Sequence, residues 1–206
     1  MNLLTFVIVL VGWIFSLCLH EFSHALVAYY GGDTTVKDKG YLTFNPLKYT
    51  HPVYSLLIPM IFLLMGGIGL PGGAVYIERW RLRDKRWETA VSLAGPFSNA
   101  LLALILGLIL RFGSVTTLGI WPGLAFLGLL QISAVVLNLI PLPPFDGYGA
   151  LEPHLPMDVR MKFDQMRGML SWGVFLVLWY VPIVGSMFWN LIFFLSRLAG
   201  IPLQLA

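Results

Sequence analysis

Long apolar stretches alternate along the chain with short polar segments. The first, about residues 2–30, stops at Gly31-Gly32, a glycine pair of the kind found just past a helix end. A polar segment follows from Asp33 to Thr50. A shorter apolar stretch, Pro52 to Met65, then leads into a run from Gly66 to Ile77 too rich in glycine for a helix. Backbone at membrane depth must have its hydrogen bonds met, so residues 66–77 are expected to form a re-entrant, β-like loop inside protein or along a wet cavity. The most charged segment, Glu78 to Glu88, precedes two further apolar runs at about 90–110 and 118–140. Pro141, Pro143 and Pro144 end the second of these, since proline lacks the N–H and clashes with the preceding turn. A last run, 170–198, is either one kinked span or two short ones divided at Pro182.

Several of these runs approach the roughly 20 residues needed to cross a bilayer. Composition agrees: of 206 residues 58% are hydrophobic and 11% charged, against roughly 25% charged in a soluble domain. The mean hydropathy is +0.81. The expectation is an all-α polytopic membrane protein, a bundle of about four to six transmembrane helices with a re-entrant loop. Residues 1–206 are read as a single integral-membrane domain whose first partner is the lipid bilayer.

The net charge of +3 does not imply a nucleic-acid partner, because the cations sit in short segments between apolar runs, as topology signals do. Lys37, Lys39, Lys48, Arg79, Arg81, Arg83, Lys85, Arg86, Arg160, Lys162 and Arg167 fall on one face, and Arg111 and Arg197 on the other. The positive-inside rule then puts the N-terminus outside and the end of the first span toward the cytoplasm. The first span has no basic lead and continues past His24 without a small-residue cleavage site, so it is read as a retained helix. The lone Cys18 excludes an intrachain disulfide. Trp80 and Trp87 among arginines suit an anchor at headgroup level.

Near the end of the first span stands His20-Glu21-Phe22-Ser23-His24, the pattern H-E-x-x-H. At about 100° per residue the histidines lie about 40° apart and one turn from each other, so both reach one metal ion. Glu21 projects beside that face, where a carboxylate can take a proton from water. Two histidines on a helix can instead satisfy buried hydrogen bonds. Three ionisable groups within one apolar span cost too much for that reading. Catalytic zinc usually takes a third protein ligand. The candidates are His51, Glu152, His154 and Asp146. Asp146 is favoured because Asn138-Leu139-Ile140-Pro141-Leu142-Pro143-Pro144-Phe145-Asp146-Gly147 ends an apolar helix on the histidine side.

These blocks, with Ala94-Gly95-Pro96-Phe97-Ser98-Asn99 between them, make the chain resemble the site-2 proteases, intramembrane zinc metalloproteases, and most the short prokaryotic type without a PDZ domain. The resemblance covers roughly residues 10 to 155. It implies that His20, His24 and Asp146 bind one Zn2+ and that Glu21 is the general base. Asn138 and Asn99 would be polar groups near the scissile peptide. It further implies an endopeptidase acting on transmembrane or membrane-adjacent segments in a prokaryotic cell membrane. Asn45-Pro46-Leu47-Lys48-Tyr49-Thr50-His51-Pro52 departs from the family pattern, which leaves His51 without an assigned role.

The strand-like segment Gly69 to Ile77, with β-prone Val75, Tyr76 and Ile77, is expected either to hold an unwound substrate by strand-edge pairing or to serve as a packed connector. Ser16 and Ser23 are too few to mark a water path. The main rival is a transporter of metal or small solute using His20, His24 and Asp146 as a transit site, and Glu21 separates the two, since only hydrolysis needs a base there.

Overall fold

The computed structural model describes residues 3–48, 75–113 and 115–206. His51 and residues 66–74 of the expected re-entrant loop lie outside them. Every regular element among the described residues is helical. Residues 75–77 belong to an irregular connection and form no strand.

The first helix, α1 (Leu3–Gly31), ends as its glycine pair predicts. Gly32 takes φ +122°, and the Gly32 and Asp33 N–H groups donate back to the Tyr29 and Ala28 carbonyls at 3.2 and 2.9 Å, the double bond of a Schellman cap. A short turn, α2 (Thr35–Asp38), follows. The next helix, α3 (Lys85–Phe112), starts earlier than its apolar run, because Asp84 caps it by accepting from the Arg86 and Trp87 N–H groups. It continues through Pro96. α4 (Trp121–Asn138) stops before the three prolines. α5 (Asp146–Leu151) and α6 (Met157–Gln165) are short.

The last apolar run resolves into two helices, α7 (Arg167–Tyr180) and α8 (Pro182–Leu198), bent by 88° at the break. Pro182 supplies the break and is favoured at a first helical position. α1, α3 and α4 are each long and apolar enough to cross a membrane, with window hydropathies of 2.4, 2.1 and 1.5, and the bent pair adds up to one more. The described residues thus carry three or four candidate spans, against the four to six expected for the whole chain.

α1, α3 and α4 pack on one another, α8 covers α4, and α5 lies against α3. Val9, Trp13, Leu106, Leu127 and Leu130 knit the three spans together, while Ala103, Ala125, Ile132, Leu137, Phe188 and Ile192 join α3 and α4 to α8. On the outside, Leu3, Val7, Val11 and Phe15 recur every fourth residue of α1 and stay exposed, as do Phe97, Leu101, Leu104 and Leu108 on α3. These are stripes suited to lipid. This is an integral membrane protein.

Candidate metal centre

Three elements bring the site together. α1 carries His20, Glu21 and His24, all buried. α3 passes directly behind the imidazoles, and only glycine fits at Gly95: a Cβ there would stand 2.3 Å from His24 Nε2 and 2.5 Å from His20 Nε2. α5 delivers Asp146 from its first turn. Its glycines explain how it gets so close. A Cβ on Gly147 would meet the Leu139 carbonyl at 2.3 Å, and one on Gly149 would meet Ser92 Oγ at 2.8 Å, so α5 folds back over the end of α4 and onto α3 only because both positions lack a side chain.

The metal-facing atoms converge. His20 Nε2 and His24 Nε2 are 3.0 Å apart, His20 Nε2 is 3.2 Å from Asp146 Oδ2, and His24 Nε2 is 3.5 Å from Asp146 Oδ1. His24 Nδ1 donates to the Val91 carbonyl at 2.6 Å. A carbonyl only accepts, so His24 carries its proton on Nδ1 and turns a lone pair inward at Nε2. His20 Nδ1 likewise donates to Asn99 Oδ1 at 2.8 Å, and Asn99 Nδ2 donates to Gln131 Oε1 at 3.1 Å. Two imidazole lone pairs and a carboxylate therefore face one another with no hydrogen between them, and Asp146 Oδ2 is buried without a hydrogen-bond partner.

Such a set repels itself unless a cation sits within it. Ligands about 2.0–2.1 Å from a tetrahedral zinc stand about 3.3 Å from each other, which matches the observed separations. The donor set fits zinc, and the outward bonds of both rings are those that orient metal-ligating histidines.

Beside the cluster opens a cavity of about 720 Å³ lined by Glu21, Asn138 and the backbone run from Val75 to Trp80. Glu21 Oε2 accepts the Val75 N–H at 3.0 Å, which orients the carboxylate toward this space. The outer wall is braced by Asp33, fully buried, which accepts from the Thr35 hydroxyl, the Thr35 N–H and the Glu78 N–H. Hydrogen bonds from Lys39 and Arg81 hold the Glu78 carboxyl below its ordinary range.

Of the residues singled out in the sequence, the structure gathers His20, Glu21, His24, Asp146 and Asn138 around one cavity. Asn99 stands behind His20 with both ends of its amide engaged, one on the ring and one on Gln131. His154 bonds Thr89, and Glu152, on the wall of the same cavity, pairs with Arg79; neither joins the His20, His24 and Asp146 cluster. Ser16 and Ser23 donate to carbonyls of their own helix. Cys18 is buried away from the metal cluster. Sequence reading missed Gln131, the Val91 carbonyl, the Val75 amide and the contact role of Gly95. Gln131 had a usable signal, an amide inside an apolar span. The two backbone groups had none.

A membrane-embedded helical bundle with H-E-x-x-H and a facing aspartate defines a class, the membrane zinc metalloproteases. Comparison with known proteins gives the family. The chain is 46% identical to the candidate zinc metalloprotease Rip2 of Mycolicibacterium smegmatis, over 95% of this chain and 75% of that one. It is 44% identical to Rip2 of Mycobacterium tuberculosis over 98% and 77%, and 36% identical to the candidate zinc metalloprotease YwhC of Bacillus subtilis over 87% and 83%. The chain belongs to this family of site-2-type zinc metalloproteases. No family model and no solved structure matches it.

Proposed function

We propose that the protein is an intramembrane endopeptidase that holds one zinc ion on His20, His24 and Asp146 and cuts transmembrane or membrane-adjacent segments of other proteins. The observation that carries this reading is the inward convergence of His20 Nε2, His24 Nε2 and the Asp146 carboxylate at 3.0 to 3.5 Å beside a buried Glu21.

A zinc ion bound there supplies a Lewis acid that polarises a peptide carbonyl and acidifies water. Glu21, held by the Val75 N–H, takes the proton of the attacking water and returns it to the leaving amine. The Asn138 side chain lines the same cavity with no hydrogen-bond partner among the described residues, and its amide donates to the developing oxyanion. Asn99 acts through His20, keeping the ring's proton on Nδ1. A transmembrane helix hides its peptide groups in its own hydrogen bonds, so a substrate unwinds before it is cut. The irregular backbone at Val75 to Ile77, on the cavity wall, offers groups for edge pairing with the unwound chain. The cations flanking the metal end, Lys37, Lys39, Arg79, Arg81 and Arg83 among them, support a cytoplasmic orientation of the site and an outer N-terminus.

The test is cleavage of a tagged panel of single-span membrane proteins by purified enzyme in detergent, with zinc content recorded. Wild type cuts at least one of them, Asp146→Ala loses both zinc and cleavage, and Tyr76→Pro keeps zinc but cuts helical substrates poorly. An Asp146→Ala variant that retains zinc and cuts normally overturns the ligand assignment.

A further inference from the structure

We propose that the end of the bundle remote from the metal centre holds a binding site for the phosphate headgroup of an anionic phospholipid, with Arg111 and Arg197 as its two arms. Sixteen residues of helix separate Gly95 from Arg111, which places this site about 24 Å along α3 from the histidines. Arg111 stands in the last turn of α3 and Arg197 in the last turn of α8.

The two helix ends are locked together. Gly107 approaches the Ala199 carbonyl so closely that a Cβ could not fit, and a Cβ on Gly200 would lie 3.9 Å from Arg111 Cβ. A cavity of about 640 Å³ opens at this junction, and both arginines line it. Neither has an ion-pair partner among the described residues, and no Asp or Glu lines the cavity. Thr117 and Gln204 add a hydroxyl and an amide to the rim, whereas the floor is apolar, with Leu110 and Ile201 almost fully buried.

One arginine in a last turn is accounted for by the helix dipole and by snorkelling to the interface. Two that line one cavity with no Asp or Glu among its lining residues make it a basic pocket, which an anion complements. Guanidinium forks match phosphate oxygens in pairs. An apolar floor under a basic rim fits a lipid, whose acyl chains run along the helices, better than a fully hydrated free anion. Basic pockets between transmembrane helices take such headgroups.

The probe is phosphatidylglycerol against phosphatidylcholine, measured by native mass spectrometry of the purified full chain for retained lipid. The wild type is expected to prefer phosphatidylglycerol by about thirtyfold, since a cation near an anionic surface contributes about fivefold. Arg111→Gln/Arg197→Gln is expected to lose that preference, while Lys37→Gln/Lys48→Gln, at the metal end, keeps it. Zinc content at the wild-type level reports that each variant has folded.

Equal phosphatidylglycerol retention by wild type and the arginine double variant overturns the site. So does an equal loss in the lysine double variant, which would mean unspecific charge. If inorganic phosphate displaces phosphatidylglycerol at equal concentration, the acyl chains contribute nothing and the lipid assignment fails.

Discussion

The two ends of α3 treat their polar groups in opposite ways. At the metal end every ring nitrogen that faces away from the centre has a partner, on Val91 or Asn99, and the side chains behind it, Asn99 and Gln131, are buried. At the far end Arg111 and Arg197 are exposed and make no ion pair among the described residues. A buried polar group left unpaired costs the full desolvation penalty, whereas an exposed one returns to solvent or headgroups. The metal end is therefore over-determined and sensitive, and the far end is adaptable. Both rely on glycine for close approach, Gly95 to imidazoles and Gly107 to backbone.

That contrast is most easily broken at Gly95. Gly95→Ala puts a methyl 2.3 Å from His24 Nε2, and zinc affinity is expected to fall by more than about hundredfold, beyond the range of outer-sphere changes. Chelator competition measures it. If Gly95→Ala binds zinc as the wild type does, the imidazoles do not sit against α3 as described.

One layer further out the effect is smaller. Asn99→Leu removes the acceptor of His20 Nδ1 and is expected to weaken zinc by about 10–100-fold, with Gln131→Leu toward the lower end of that range. Gln131 acts by orienting the Asn99 amide. In the Asn99→Leu background, which lacks the amide that Gln131 orients, Gln131→Leu should leave zinc affinity unchanged, and a further loss would refute that chain of action.

The far end sharpens the comparison from the other side. Gly107→Ala drives a methyl into the Ala199 carbonyl and should lower stability by about 1–3 kcal/mol in thermal or denaturant unfolding, with zinc affinity unchanged. Smaller still is Leu104→Ala on the lipid-facing stripe, 52% exposed, expected within about 0.5 kcal/mol of wild type in stability and without effect on zinc.

Much of this architecture was legible in the chain because membrane physics writes in long runs. The apolar stretches marked α1, α3 and α4, Gly31-Gly32 marked the end of α1, and the prolines marked the end of α4. The start of α3 was not, since a cap residue such as Asp84 lies outside the apolar pattern that the eye follows. The break at Pro182 was visible, but its 88° bend was not, because a proline fixes where a helix ends and not the direction of the next one. His20 and His24 were legible from spacing on one helix. Their pairing with Asp146 depends on two glycines, Gly147 and Gly149, whose meaning appears only when α3 and α4 are placed beside them. The Val91 and Val75 backbone groups carry no mark in any sequence.

The central claim is that Glu21 serves the chemistry and His20, His24 and Asp146 serve the metal. Glu21→Gln tests it most directly, because glutamine keeps the shape and can still accept from the Val75 N–H but cannot take a proton. Zinc content and cleavage of a membrane-embedded substrate are measured on the same sample. Full zinc with no cleavage is the predicted result. Full zinc with cleavage at the wild-type rate would contradict the claim.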